Sequence, residues 1–191
     1  MKPTSTSIPV SSITTATIDP LSDDVITTKI KSATEGLPSN CFNHISNRVL
    51  TSSRQNALII CDYISTLMSE INPSDHYRRD TIILLCSLSA FFKNKCFKEI
   101  TREDLLSFLG SYRRTEDVDP LHKWIGTYNT YRMQLMRFFK WLYSPYIEYK
   151  QRPKPPVIQN IHQLKRKEKS IYKPTDLWTG EDDALFLKYC P

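Results

Sequence analysis

The residues best placed to do chemistry in this chain are cations set among aromatic rings. The stretch TYRMQLMRFFKWLY, residues 130–143, holds two arginines and a lysine beside two phenylalanines, a tryptophan and two tyrosines. On a helix, Tyr128, Tyr131, Leu135, Phe138 and Leu142 share one stripe at spacings of three and four, widened by Phe139 and Tyr143. That is the pattern of a core face. The other side carries Asn129, Thr130, Met133, Arg137 and Lys140, with Arg132 on the same helix. Cations on a rigid face can meet phosphates or guanine, and an amide can meet adenine. A solvated face with no partner is the plainer reading of the same residues. Arg78 and Arg79, in SDHYRR, fall in the first turn of another predicted helix, where cations oppose the helix dipole. Nearby phosphates would account for them, as would simple tolerance at the surface.

Covalent and metal chemistry find less support. The chain has no GxxxxGK[ST] loop and no HExxH, GxSxG or GxGxxG motif. Its five cysteines, Cys41, Cys61, Cys86, Cys96 and Cys190, include no CxxC pair. Neither a zinc site nor a disulfide framework is expected, and no cofactor is. His76 and Arg79 match HxxR in form, but they open a helix whose Tyr77 is expected to pack inward, and the match is read as chance.

These side chains need elements to position them. Residues 1–50 are rich in Ser and Thr and thinly apolar, so a mostly disordered arm is expected, with at most a helical turn near DDVITTKIKSA. From residue 51 to 144 the apolar residues recur at helical spacing. Leu58, Cys61, Ile64, Leu67, Met68 and Ile71 form one face. Tyr77, Thr81, Leu84, Leu85, Leu88 and Phe92 form a second, behind a Ser74 cap. Thr101 and Asp104 read as a capping box for a short helix burying Leu105, Leu106, Phe108 and Leu109. The aromatic helix is expected from about Thr127 to Tyr143, ending before Pro145. No segment alternates with period two, so the fold class is all-α, a compact domain of four or five helices.

Residues 145–174 contain five prolines and eight Lys or Arg against two Glu, while the rest of the chain balances at 18 against 18. The formal net charge of +6 therefore lies in what reads as an extended basic linker. Residues 175–191 read as a helix beginning, with Thr179 as its cap and Glu181, Asp182 and Asp183 in its first turn. The N-terminus has no apolar h-region of a Sec signal. No segment approaches the roughly 18 apolar residues needed to span a bilayer. A cytoplasmic, nucleoid-associated place and no membrane partner are expected.

The order of elements resembles a known family. A helix, NPS, a helix ending in LSAFF, EITREDLLSFLGSYRR, a loop and TYNTYRMQLMRFFKWLY is similar to the N-terminal core-binding domain of tyrosine recombinases, the phage-integrase class, most of all the archaeal integrases. The resemblance covers residues 52–143, and YKPTDLWTGEDDALFLKYC looks like the lead-in to a catalytic domain. It implies a four-helix domain that clamps double-stranded DNA at an att-like site, with other recombinase protomers as assembly partners. In that family the catalytic Arg, Lys, HxxR pair, further His or Trp and Tyr nucleophile all belong to the C-terminal domain. The chain is expected to be truncated before that domain, so no catalytic residue is assigned and no activity of its own is expected. The DNA-contacting set expected is Arg78, Arg79, Arg132, Arg137, Lys140 and the linker residues Lys165, Arg166, Lys167 and Lys169, with Asn129 and Thr130 toward base edges. The alternative is a helical protein-interaction module without DNA readout.

Overall fold

A computed structural model describes residues 23–165 and 178–189. Among them every regular element is helical: α1 (Asp23–Ala33), α2 (Ser39–Leu50), α3 (Arg54–Ile71), α4 (Asp75–Phe91), α5 (Arg102–Gly110), α6 (Trp124–Tyr143), α7 (Gly180–Tyr189) and two 3₁₀ turns, Phe97–Glu99 and Pro156–Ile158. The all-α class holds, with seven α-helices among the described residues.

The four helices expected between residues 51 and 144 are α3 to α6. Their starts follow from local chemistry. Ser53 and Ser74 accept from the N–H groups of Asn56 and Tyr77. The capping box of α5 is complete: Asp104 N–H donates to Thr101 Oγ1 at 3.2 Å and Thr101 N–H to Asp104 Oδ2 at 3.0 Å. Lys95 also binds Asp104, and these contacts, Lys95 first, hold its carboxyl below the usual carboxylate range. α6 begins at Trp124, three residues earlier than expected. Lys123 offers no side-chain cap, and Asp119 from the preceding loop accepts the Trp124 N–H instead at 2.9 Å.

The core gathers α6 against α3 and α5. Phe138 is fully buried and meets the rings of Tyr63, Phe97 and Phe139 edge-on at 5.0–5.2 Å. Asn56 is a fully buried polar residue with every group engaged. Its amide donates to Ser89 Oγ and to the Lys95 carbonyl, both at 2.9 Å, and its oxygen accepts the Phe97 N–H. It thereby ties the α4–α5 connection to α3, a role no helical periodicity announces.

Two expectations fail. Residues 23–50 are not a disordered arm: Ile26, Ile30 and Ala33 of α1 and Ile45 and Val49 of α2 are buried. α1 lies along α3, joined by the pairs Lys29–Asp62 and Arg54–Asp23, and α2 lies against α4. Each helix has only a narrow apolar stripe, too little to hold it alone, but docking supplies the partner surface. The turn between them uses Gly36 at φ +78°, a left-handed conformation that favours glycine. Residues 1–22 of the expected arm lie outside the described residues.

Nor are residues 145–165 a free linker. Val157, Ile158 and Ile161 are buried against α5 and α6, and Leu164 is partly buried. Pro155 is extended, as expected, but Pro156 opens a 3₁₀ turn, and the apolar residues of the segment anchor it as a strap. Backbone carbonyls left without helix or sheet partners accept from arginines instead: Gln159 and Asn160 from Arg102, and Ile161 from Arg132. The folded body is thus residues 23–165 rather than 51–144. α7 has no buried residue; Thr179 caps it, accepting from the Asp182 N–H, as its sequence implied.

No helix among the described residues is long and apolar enough to cross a membrane. No group of three His, Cys, Asp or Glu side chains among them could hold a metal ion.

Burial pushes the Cys61 thiol up to about 12, with the Asp62 charge adding to it, and pushes the Cys86 thiol up to about 11. Both are buried, Cys61 on α3 and Cys86 on α4, whereas Cys96 is half-exposed. A thiol reagent at pH 7.5 is therefore expected to modify Cys96 well before either of the others, because the thiolate is the reacting form. Peptide mapping by mass spectrometry reads this directly; early labelling of Cys61 in the native protein would contradict the packing described.

Candidate nucleic-acid interface

α6 is the axis of the candidate interface, because its buried stripe fixes where its remaining side chains point. The structure divides those side chains into three groups.

The N-terminal half of the polar face serves the strap. Asn129 donates from Nδ2 to the Leu164 carbonyl at 2.8 Å and accepts the Leu164 N–H on Oδ1 at 2.9 Å. The amide oxygen and one of the two amide N–H donors are held by the chain's own backbone, which turns Asn129 toward the strap rather than toward a base edge. Arg132 donates Nε–H to the Ile161 carbonyl at 2.7 Å, which likewise makes it a strap holder. Thr130, beside them, is exposed. Lys165 follows directly on Leu164 and leaves the body next to Asn129, exposed. Arg166, Lys167 and Lys169 lie outside the described residues.

Arg78 does not belong to the interface. Only 4% of it is exposed. Its guanidinium binds Asp75 at 2.9 Å and the Met68 sulfur at 3.3 Å, beneath Gly36 of the α1–α2 turn. The cation that looked out of place at a helix start is explained within the fold: Asp75 offsets it and the α1–α2 turn covers it. Arg79 stays nearer the surface, with Nε and Nη2 donating to Asp80.

The C-terminal half of α6 carries the third group. Arg137 and Lys140 line a pocket with Tyr149, Lys150 and Arg152 from the loop that follows the helix. Arg137 Nη1 donates to the Tyr77 hydroxyl at 2.9 Å, and its guanidinium carbon lies 5.8 Å from the centre of that ring. Arg152 forms the back of the pocket. It is 5% exposed, and it binds the Glu70 carboxylate through both Nη groups and the Ser144 carbonyl through Nε. No carboxylate lines the pocket, and neither Lys140 nor Lys150 makes an ion pair among the described residues.

Of the cations that line this pocket, Arg137 and Lys140 are expected from the sequence, and Lys150 and Arg152 are not. One signal was present: between residues 137 and 154 the chain has five cations and one carboxylate, Glu148. Residues after 145 do not run free as a linker, so this charge folds back onto α6.

No family model matches this chain, and neither a curated protein nor a solved structure is found to match it.

Proposed function

We propose that this protein is a double-stranded DNA-binding module, the core-binding part of a site-specific recombinase of the tyrosine class, with no catalytic role for any residue described above. The observation that carries the reading is the carboxylate-free cluster of Arg137, Lys140 and Lys150 on one end of α6. Cations without a carboxylate partner at a concave surface attract phosphates, and such contacts supply most of non-specific DNA affinity. A second basic patch starts at Lys165, beside Asn129, and continues in the sequence through Arg166, Lys167 and Lys169. Asn129 and Arg137 are eight residues apart on one helix, roughly 12 Å along its axis. That spacing is comparable to the width of a major groove, about 12 Å. Lys165 beside Asn129 and the cluster at Arg137 therefore suit phosphates on either side of a groove, with exposed Thr130 on the same helix to meet a base edge. The order of elements that resembles an integrase core-binding domain points the same way.

Duplex binding measured across a salt series tests this. Arg137→Ala with Lys140→Ala is expected to weaken binding and to reduce the slope of log affinity against log salt by about one unit per lost phosphate contact. Lys165→Ala, Arg166→Ala and Lys167→Ala together are expected to weaken binding to all sequences alike, since backbone contacts carry no sequence information. If duplex affinity and slope are unchanged in both variants, the helical body is not a DNA reader. The protein-interaction reading then takes its place.

A further inference from the structure

The pocket at the end of α6 is built for more than a passing contact with a duplex backbone. It encloses about 270 Å³. Its rear wall is fixed, because Arg152 spends its N–H groups on Glu70, Ser144 and Pro145. That pair is close to neutral and leaves Arg137, Lys140 and Lys150 as the uncompensated cations of the lining. Arg137 is aimed rather than loose. Tyr77 holds it by a hydrogen bond and a ring contact, and the bond occupies one of five guanidinium N–H donors. Lys140 is one turn further along the same helix, and Lys150 comes from the loop after it.

Three cations converging in a concavity exceed the one negative charge of a single internal phosphodiester, and a duplex must share neighbouring phosphates among them. A terminal phosphate monoester brings about −1.5 to −2 charges at neutral pH and three strong acceptor oxygens. The volume lies just under the ~300 Å³ at which small-molecule sites begin. It suits a phosphate and part of its sugar. We infer that the pocket of Arg137, Lys140 and Lys150 is a seat for a phosphate monoester dianion, the group carried by a nucleic-acid end, a free nucleotide or inorganic phosphate. The inference rests on the same cations as the DNA-binding reading and adds the ligand class: an end phosphate in preference to duplex backbone.

The test uses the full chain and calorimetric titration with three probes: a 5′-phosphorylated dinucleotide, the same dinucleotide with a 5′-hydroxyl, and inorganic phosphate. The phosphorylated form is expected to bind about tenfold tighter than the hydroxyl form, as ionic hydrogen bonds are the strong ones. Tighter binding than inorganic phosphate identifies a nucleic-acid or nucleotide source, and equal binding identifies phosphate itself. Affinity for the monoester is expected to rise about tenfold from pH 5 to pH 7.5, because its second ionisation lies near 6. No histidine and no carboxylate lines the pocket, so the rise follows the ligand. Lys150→Ala and Lys140→Ala, checked for an unchanged circular dichroism spectrum, are expected to erase the preference. Equal binding of the phosphorylated and hydroxyl dinucleotides, or a flat pH profile, overturns the inference. Arg137-dependent duplex binding without a monoester preference removes this inference alone. Monoester binding without duplex binding removes only the DNA-binding reading.

Discussion

Replacing Phe138 by Ala is expected to cost about 3–5 kcal/mol of stability, the range for emptying a well-packed aromatic site. Phe138 is 0% exposed and stands where α3, α6 and the turn after α4 meet. Its ring touches Tyr63, Phe97, Phe139 and, at a tilt, Trp141. The neighbours are rings held in place by one another, so the cavity has little room to collapse. Denaturant unfolding followed by tryptophan fluorescence measures the loss. The adjacent change Arg137→Ala is expected to stay within about 1 kcal/mol, since that side chain keeps its head at the surface pocket. A loss below about 1 kcal/mol for Phe138→Ala would mean that the aromatic stripe of α6 does not form the core.

The second large effect belongs to the pair that closes the strap. Glu70→Ala leaves the Arg152 guanidinium buried with its main partner gone. Breaking a buried ion pair from one side typically costs about 3–5 kcal/mol. The lower end is expected here, because 25% of the Glu70 side chain is exposed and water can reach the vacated space. The double change Glu70→Ala with Arg152→Met removes the stranded charge and is expected to recover most of the loss. Limited proteolysis adds an independent reading. The intact protein should resist cleavage from about residue 23 to residue 165, and Glu70→Ala should open new sites between residues 145 and 165. A double variant as fragile as the single one, or an unchanged digest, would detach the strap from this ion pair.

Much of the helical body is legible in the amino-acid sequence. Periodic apolar faces locate α3, α4, α5 and α6, and Ser74, Thr101 and Thr179 mark helix starts, because a cap is a contact between residues three apart in sequence. The stripe of α6 is readable for the same reason. Tyr128, Leu135, Phe138, Phe139 and Leu142 are all buried, as their spacing implies, while Tyr131 is partly buried and Tyr143, expected to widen the stripe, is exposed. Half of the candidate interface is readable too, since Arg137 and Lys140 sit on the face away from that stripe.

What failed has a common cause. Local patterning says which residues a helix turns inward, but not which distant segment arrives to cover the rest. α1 and α2 have stripes too narrow to stand alone, and they exist because α3 and α4 offer them surface. The strap reads as a linker by its prolines and charges, yet Val157, Ile158 and Ile161 find the groove between α5 and α6. Arg78 and Asn129 show the same limit at single residues. By type and position each could serve DNA, and each is instead consumed by its own fold, one by Asp75 and Met68, the other by the backbone of Leu164. The amino-acid sequence by itself determined the helical class, the caps and the buried face of α6, because those depend on neighbours within a few positions. Only the tertiary structure decided which cations remain free. That depends on pairings such as Glu70 with Arg152 across 82 residues, where desolvation and hydrogen bonding outweigh any local preference.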